Sequence, residues 1–510
     1  MSMNLVLEMA VADHPDRVAI VSDELRLTVA DLASLAGGGA GVIADSGARH
    51  VVYIGTGGAD LAVSMLASGR AAVPYTPLNY RLSTQGLHEL IGRLDQPLVI
   101  ADLDYLDVAA SAGTAIPPIE SGEFLARAHD TDPVDEFADP DAPAVVLFTS
   151  GTTSRPKAVQ LSGANLASYI MQTVEFASMT ADDASLVCVP PYHIAGVSAV
   201  LSNLYAGRRI VYLRNFDPTE WVRLIEQEHV TSATVVPTML ARIVAELERT
   251  GATLPSLTSL AYGGSKVALP LVRRAIELLP HVGFVNAYGL TETSSTIAVL
   301  TPDDHRAALD TDDPAIARRL GSVGQSVPGI EIAIRAADGT DLPAGYPGEL
   351  YVRGDQVSGR YDELGSVLDD DGWFATKDLA ERDEDGYIFI SGRMDDTIIR
   401  GGENIAPAEI ESVLVEHPDV ADVAVVGVED PQWGQIIVAV VVPAPDTTAE
   451  PDELRAFVRD ALRGSRTPDR IVLADELPTT ATGKVLRRSI VDDLRTNPAV
   501  SSDSTPARTP

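Results

Sequence analysis

The chain has 510 residues, with 73 Asp and Glu against 38 Lys and Arg, a formal net charge of −35. Coating a nucleic acid needs a concentrated basic surface, so that class of function is excluded. With 45% apolar and 22% charged residues the composition is that of a globular protein able to bury large cores, and the length suits several domains or subdomains.

Cys188 is the only cysteine, so no internal disulfide forms. No secretory signal is read at the start, and apolar runs such as 436–442 fall far short of the ~20 residues that cross a bilayer. A cytoplasmic enzyme without a transmembrane segment is the expectation. Lysine is scarce: only Lys157, Lys266, Lys377 and Lys484 occur, so each is worth attention.

Taken in order, strand-like β-branched runs alternate with amphipathic helical stretches. Residues 51–54 predict a strand, and 59–68, after a Gly-rich turn, a helix. Residues 209–213 predict a strand, 218–228 a helix capped by Asp217, 232–236 a strand and 238–249 a helix. This order implies a parallel sheet with ligands at the carboxyl ends of its strands. From about Arg393 the elements shorten: helix 407–417, strands 420–428 and 436–442, helix 452–463 and strand 470–473. The fold class expected is therefore α/β, a large N-terminal domain of α/β subdomains with parallel sheets plus a small mobile α+β C-terminal domain. The expected boundaries are 1–393, 394–497 and a Ser/Thr/Pro-rich disordered tail at 498–510.

Three segments carry chemistry. Phe148-Thr149-Ser150-Gly151-Thr152-Thr153-Ser154-Arg155-Pro156-Lys157 follows an apolar strand, and its hydroxyls and backbone N–H groups around one lysine suit the phosphates of a nucleotide. Its spacing is not that of a Walker A loop, and a plain Ser/Thr-rich surface loop is the competing reading. Asn286-Ala287-Tyr288-Gly289-Leu290-Thr291-Glu292-Thr293 follows the strand-like run 282–285 and offers a stacking ring, a hydroxyl and a carboxylate able to hold Mg2+. The alternative is a strand running into a capped helix. In the third segment, Thr376-Lys377-Asp378 and Ser391-Gly392-Arg393 offer Asp378 as acceptor of ribose hydroxyls and Arg393 as donor; an ordinary hairpin with exposed charges would look the same.

With Arg400-Gly401-Gly402-Glu403-Asn404-Ile405 and Pro478-Thr479-Thr480-Ala481-Thr482-Gly483-Lys484, these segments stand in the order of the adenylate-forming superfamily of acyl-CoA synthetases, adenylation domains and luciferases, which the chain resembles over nearly its whole length. The resemblance implies ATP, Mg2+ and a two-step reaction. Thr149, Ser150, Gly151, Thr152, Thr153 and Lys157 would cover the β- and γ-phosphates. Gly263, Gly264, Ser265, Asn286, Ala287, Tyr288 and Gly289 would surround the adenine. Thr291 would touch the α-phosphate, Glu292 bind Mg2+, and Asp378 and Arg393 hold the ribose. Lys484 would be the catalytic lysine between the attacking carboxylate and the α-phosphate, where only placed cations offset the meeting of like charges. Asp395 would be the hinge, and Gly401, Gly402 and Glu403 would line the thiol tunnel after the C-terminal domain rotates.

Tyr192, His193, Ile194 and Gly196, in a segment resembling the family's acyl pocket, with Val236, Tyr262 and Thr296, suggest a fatty or other apolar acid. No Asp or Glu lies between Tyr192 and Leu201 to pair an ammonium group, which disfavours an amino acid. His193 is read as more structural than catalytic, and Lys266 as facing solvent rather than a second substrate carboxylate. Three positions depart from the pattern: Ser154, Ala158 and Lys377 replace family glycines. A stacking ring for the CoA adenine is missing from Ser465-Arg466-Thr467-Pro468. The expected acceptor is CoA, with a phosphopantetheinylated acyl carrier protein as the alternative. A luciferase-like oxygenase and an inactive nucleotide-binding homologue are weaker readings. Oligomeric state is left open.

Overall fold

The computed structural model describes all residues except 1–2, 150–155, 401–402, 446, 463, 481–484 and 497–510. The expected tail and the sites at Ser150, Gly151, Thr152, Thr153, Gly401, Gly402 and Lys484 therefore lie outside the described residues. The chain forms two compact units: Met1–Gly264, Arg274–Ile332 and Tyr351–Ala375 make the first, and Ser265–Arg273, Ala333–Leu350 and Thr376–Pro510 the second.

The first unit is α/β. In one nine-stranded sheet, six parallel strands run in the order Gly283–Leu290, Ser259–Gly263, Ser232–Val235, Ala184–Val187, Arg209–Tyr212 and Val18–Ser22. Antiparallel strands close both flanks, Ser295–Leu300 and Gln325–Ser326 on one side and Leu25–Thr28 on the other. An eight-stranded sheet has a parallel part built on His50–Ile54, Tyr75–Pro77, Pro97–Ala101 and Ile119–Glu120, joined through Pro143–Thr149 to an antiparallel edge. Residues buried on both faces explain the unbroken apolar runs: every residue of His50–Ile54 and Pro97–Ala101 is buried.

Side chains from both sheets share one core, which includes Ile20, Ile210, Val51, Leu147 and Val159 together with Val200 and Leu201 of helix Ile194–Ala206. Each such side chain withdrawn from water contributes about 1.5–3 kcal/mol. A polar staple supplements the core. Arg214, just after Arg209–Tyr212 in one sheet, pairs with Asp60 at 3.2 Å and Asp102 at 3.6 Å, beyond the ends of two strands of the other.

The second unit is α+β. Most residues of a four-stranded sheet made by Glu331–Arg335, Gly348–Arg353, Phe374–Arg382 and Ile388–Arg393 belong to it, and the last two strands are a hairpin with Asp378 opposite Arg393. A five-stranded sheet centred on Gly434–Pro443 packs Ile437, Ala439 and Val441 against Ile410 and Leu414 of helix Pro407–Leu414 and Leu454 of helix Pro451–Ala461. Val438 and Val440, on the other face, meet Ile490 and Leu494 of helix Arg487–Thr496. Among the described residues no helix is long and apolar enough to cross a membrane.

Candidate functional site

In the first unit the two strands that flank the segment expected to meet the phosphates are paired. Pro143–Thr149 pairs antiparallel with Lys157–Ser162, so that Thr149 lies opposite Lys157 and Phe148 opposite Ala158. The stems are gripped by two residues absent from the motif. Arg93 donates from Nη1 to the Pro156 carbonyl at 2.8 Å, lays its guanidinium 4.7 Å from the centroid of the Phe148 ring, and pairs with Glu363. Glu363 in turn accepts from the Ala158 N–H at 3.3–3.4 Å.

The Asn286 segment is strand for longer than expected. Gly283–Leu290 continues through Tyr288 and Gly289 because Ser295–Leu300 folds back and pairs with it. A Cβ on Gly289 would lie 1.7 Å from the Ser295 carbonyl oxygen, so only glycine permits this approach. Thr291, Glu292 and Thr293 form a single 3-10 turn, and the Thr293 hydroxyl accepts from the Leu290 N–H at 3.0 Å. Ser294 and Ser295 then take φ of +57° and +127°, a conformation L-residues seldom adopt. Gln356, fully buried, holds this turn by donating to the carbonyls of Thr293 and Thr296 at 2.9 Å each, while Ser294 Oγ donates to the Gln356 carbonyl.

Glu292 is thereby fixed at the backbone, where its carbonyl accepts from the Ser358 N–H at 2.9 Å. Its carboxylate accepts at Oε1 from Tyr361 Oη at 2.8 Å. The Lys157 ammonium lies 5.4 Å from the centroid of the Tyr361 ring. Asn286 donates its amide to the Ser322 carbonyl at 3.1 Å. Gly263 pairs with Ala287 across two parallel strands, and Gly264 follows with φ of +86°.

The acyl-pocket residues divide. Tyr192 is buried, with the Tyr80 ring edge-on at 5.7 Å and the Tyr105 ring beyond Tyr80 at 5.5 Å, tilted by 42°. His193 caps helix Ile194–Ala206 without a side-chain cap bond, and its ring lies 4.7 Å from that of Tyr192. Tyr192 Oη and His193 Nε2 are buried without a hydrogen-bond partner among the described residues. Burial pushes the imidazole down to about 4 and the phenol up to about 12, so both are neutral near neutral pH. Ile194 opens the helix, and at Gly196 a Cβ would stand 2.9 Å from the Pro191 backbone. Val236 is buried at the start of helix Pro237–Thr250, and Thr296 gives its carbonyl to Gln356. Tyr262 is committed elsewhere: its hydroxyl meets His305 Nε2 at 2.8 Å, and His305 Nδ1 donates to the Thr301 carbonyl.

In the second unit, Arg393 Nη1 donates to Asp378 Oδ1 at 3.0 Å, and the Asp378 N–H donates to Thr376 Oγ1 at 3.1 Å. The pair expected to hold a ribose is thus assembled by hairpin register. Asp395 lies in the 3-10 turn Met394–Asp396 directly after Arg393. Glu403 accepts from Arg466 at 2.6 Å. Lys266 does not point free into solvent, contrary to expectation: Nζ donates to Ser412 Oγ at 2.8 Å, and burial lowers its pKa. Ser265 begins the same segment.

Arg93, Glu363, Gln356, Tyr361 and Tyr80 were not legible as site residues. Their partners lie far away in sequence, and nothing in the local pattern around them marks a ligand.

Residues 7–362 match the family of AMP-binding enzymes and residues 409–484 the AMP-binding enzyme C-terminal domain. An indoleacetate–CoA ligase of Aromatoleum aromaticum is 33% identical over 502 residues, covering 94% of this chain and 95% of that protein. A fatty acid–[acyl-carrier-protein] ligase of Streptomyces coeruleorubidus is 31% identical over 457 residues, covering 87% and 86%. The O-succinylbenzoate CoA synthetase of Bacillus subtilis in complex with ATP and magnesium ion superposes with a TM-score of 0.81 at 27% identity, covering 96% of this chain and 99% of that one. The chain belongs to the adenylate-forming superfamily and is an AMP-forming acid–thiol ligase of the acyl-CoA synthetase type.

Proposed function

We propose that the protein activates an apolar, aromatic carboxylic acid with ATP and Mg2+ and transfers the acyl group to the thiol of CoA. The observation that carries the acid class is the wall of Tyr192, Tyr80 and Tyr105 beside a neutral His193. Aromatic rings, one pair edge to face and one tilted at 42°, favour a flat ligand, and no carboxylate lies between residues 192 and 201 to neutralise an ammonium. The indoleacetate ligase, which covers the chain almost end to end, supports the same class and acceptor.

The donor set fits Mg2+. Among the described residues no cluster of three or more His, Cys, Asp or Glu is present, and Glu292 Oε2 takes no hydrogen bond. A single carboxylate completed by phosphate oxygens and water is the usual protein contribution to a Mg2+–nucleotide site. There the metal would neutralise phosphate charge. Thr149 to Thr153 and Lys157 hold the β- and γ-phosphates, Tyr288 flanks the adenine, and Asp378 and Arg393 take the ribose hydroxyls. The acid's carboxylate oxygen attacks the α-phosphorus, the bond to the β-phosphate bridge breaks, and pyrophosphate leaves with its electron pair. Lys484 places a positive charge between the attacking oxygen and the α-phosphate. In the second half-reaction, with Asp395 as hinge and Gly401, Gly402 and Glu403 along the tunnel, thiol sulfur attacks the carbonyl, AMP departs, and the thiol proton is released.

Incubation with ATP, Mg2+ and a panel of arylacetic acids, hydroxycinnamic acids and fatty acids of graded length, with either CoA or a holo carrier protein, tests the reading by mass spectrometry of the thioester. The CoA thioester of an aromatic acid is the expected product. Preference for long-chain fatty acids, or thioester on the carrier protein alone, would sink it.

A further inference from the structure

Tyr361 lies 69 residues from Glu292 in sequence and touches it through the hydroxyl, while its ring faces Lys157. The phenol is 8% exposed, on the short strand Arg360–Tyr361, and is held against Lys157–Ser162 by pairing of Tyr361 with Val159. Resting on the reading that Glu292 holds the metal and Lys157 the phosphates, we propose that Tyr361 is the positioning residue that sets the metal-binding carboxylate and the phosphate lysine in register with each other.

A glutamate at a three-residue turn has several rotamers open to it, and ordering them costs free energy at the moment of binding. A phenol on a sheet edge is already ordered. By donating at 2.8 Å to Oε1 it restrains the carboxylate, while Oε2 takes no hydrogen bond among the described residues. The same ring presents its negative face to the Lys157 ammonium at 5.4 Å, within the range of a cation–π contact. The two functions reside on different parts of one side chain and are separable: phenylalanine keeps the ring and loses the donor, and leucine loses both.

The test follows Mg2+ dependence and direct metal binding together. Acid-dependent ATP/pyrophosphate exchange is measured against free Mg2+ at constant ATP for wild type, Tyr361→Phe, Tyr361→Leu, Glu292→Gln and the Tyr361→Phe/Glu292→Gln double variant. Affinity for Mn2+ in the presence of α,β-methylene-ATP is read from the free-ion electron paramagnetic resonance signal, which does not require turnover. Tyr361→Phe is expected to weaken both metal readouts about tenfold, the size of a hydrogen bond to a charged group, while the KM for ATP at saturating Mg2+ stays near wild type. Tyr361→Leu should raise that KM as well. On the Glu292→Gln background, Tyr361→Phe should add nothing, because its effect passes through that carboxylate. Unchanged metal affinity in Tyr361→Phe, or additive losses in the double variant, overturns the inference while Glu292 keeps its role. Wild-type metal affinity in Glu292→Gln overturns the reading of Glu292 and the inference with it. Should Tyr361→Phe prove less stable, the comparison between it and the double variant still decides, since both carry the same loss.

Discussion

At His193, burial holds the imidazole at about 4, against an ordinary value of 6.5. An unfolded chain takes up this proton below 6.5, and the folded chain only near 4. The neutral ring therefore contributes stability that is fully present above 6.5 and lost as pH falls towards 4, on the order of 3 kcal/mol across the window. His50, buried beside Thr76 and also held at about 4, acts in the same direction. Asp60 acts in the opposite one: burial raises its carboxyl to about 6, so its contribution is lost as pH rises. Urea unfolding at about pH 7 and about pH 5 should show a smaller acid loss in His193→Gln than in wild type; equal losses would mean that the ring is not buried neutral. Lys377 offers a second residue-scale forecast. It occupies a family glycine position, and it adopts φ of +66°, the region where a side chain is strained. Lys377→Gly should stabilise the fold by about 1 kcal/mol, and Lys377→Ala should not. Denaturant midpoints of the two variants check it, and equal midpoints would remove backbone strain as the cause. The sequence showed that this glycine was replaced, but its positive φ depends on the hairpin around it. The neutrality of His193 likewise needed the depth of its burial, which no local pattern carries.

Elements with local causes were legible and those with distant causes were not. Asp217 accepts from the N–H groups of Thr219 and Glu220, so the helix expected behind it starts at Pro218. Strand Arg470–Leu473 appears with the bounds read from its β-branched run. Gly283–Leu290 overran its expected end by five residues, because pairing with Ser295–Leu300 continues past the last purely apolar position. The hairpin repeats that lesson: the apolar strand ahead of its loop was visible, whereas Arg93, which clamps the stems, comes from a different part of the chain. Arg93→Leu leaves the Pro156 carbonyl without its donor and Glu363 without its cation. The hairpin still forms, since Leu147, Val159 and Leu161 remain buried, but its loop loses a fixed base. The expected outcome is a KM for ATP raised by about tenfold, with melting temperature nearly unchanged. A melting temperature that falls in step with activity would mark Arg93 as a packing residue only.

At the scale of the molecule, a net charge of −35 meets anionic substrates, and four lysines are all the chain contributes of that residue. Surface repulsion of ATP must be offset locally, which makes the placement of those lysines the relevant variable. Lys157 stands at the stem of the phosphate hairpin, 5.4 Å from the Tyr361 ring centroid. Lys377 is exposed and lies 3.9 Å from Glu349, and Lys266 is tied to Ser412. On the proposal that Lys484 serves the adenylation step, Lys484→Ala should lose ATP/pyrophosphate exchange yet still convert supplied acyl-AMP. The same scarcity makes the protein suited to chemical footprinting, because an amine-acylating reagent has four side-chain targets that peptide mass spectrometry can follow one by one. With ATP and Mg2+ present, acylation of Lys157 should fall several-fold, since a phosphate-bound ammonium keeps its proton and is shielded, while Lys377 on the solvent side of its strand should react as before. Adenosine, which lacks phosphates, should protect neither. Protection of Lys157 by adenosine as strong as by ATP would place that lysine away from the phosphates and leave the acidic chain without its expected counter-charge.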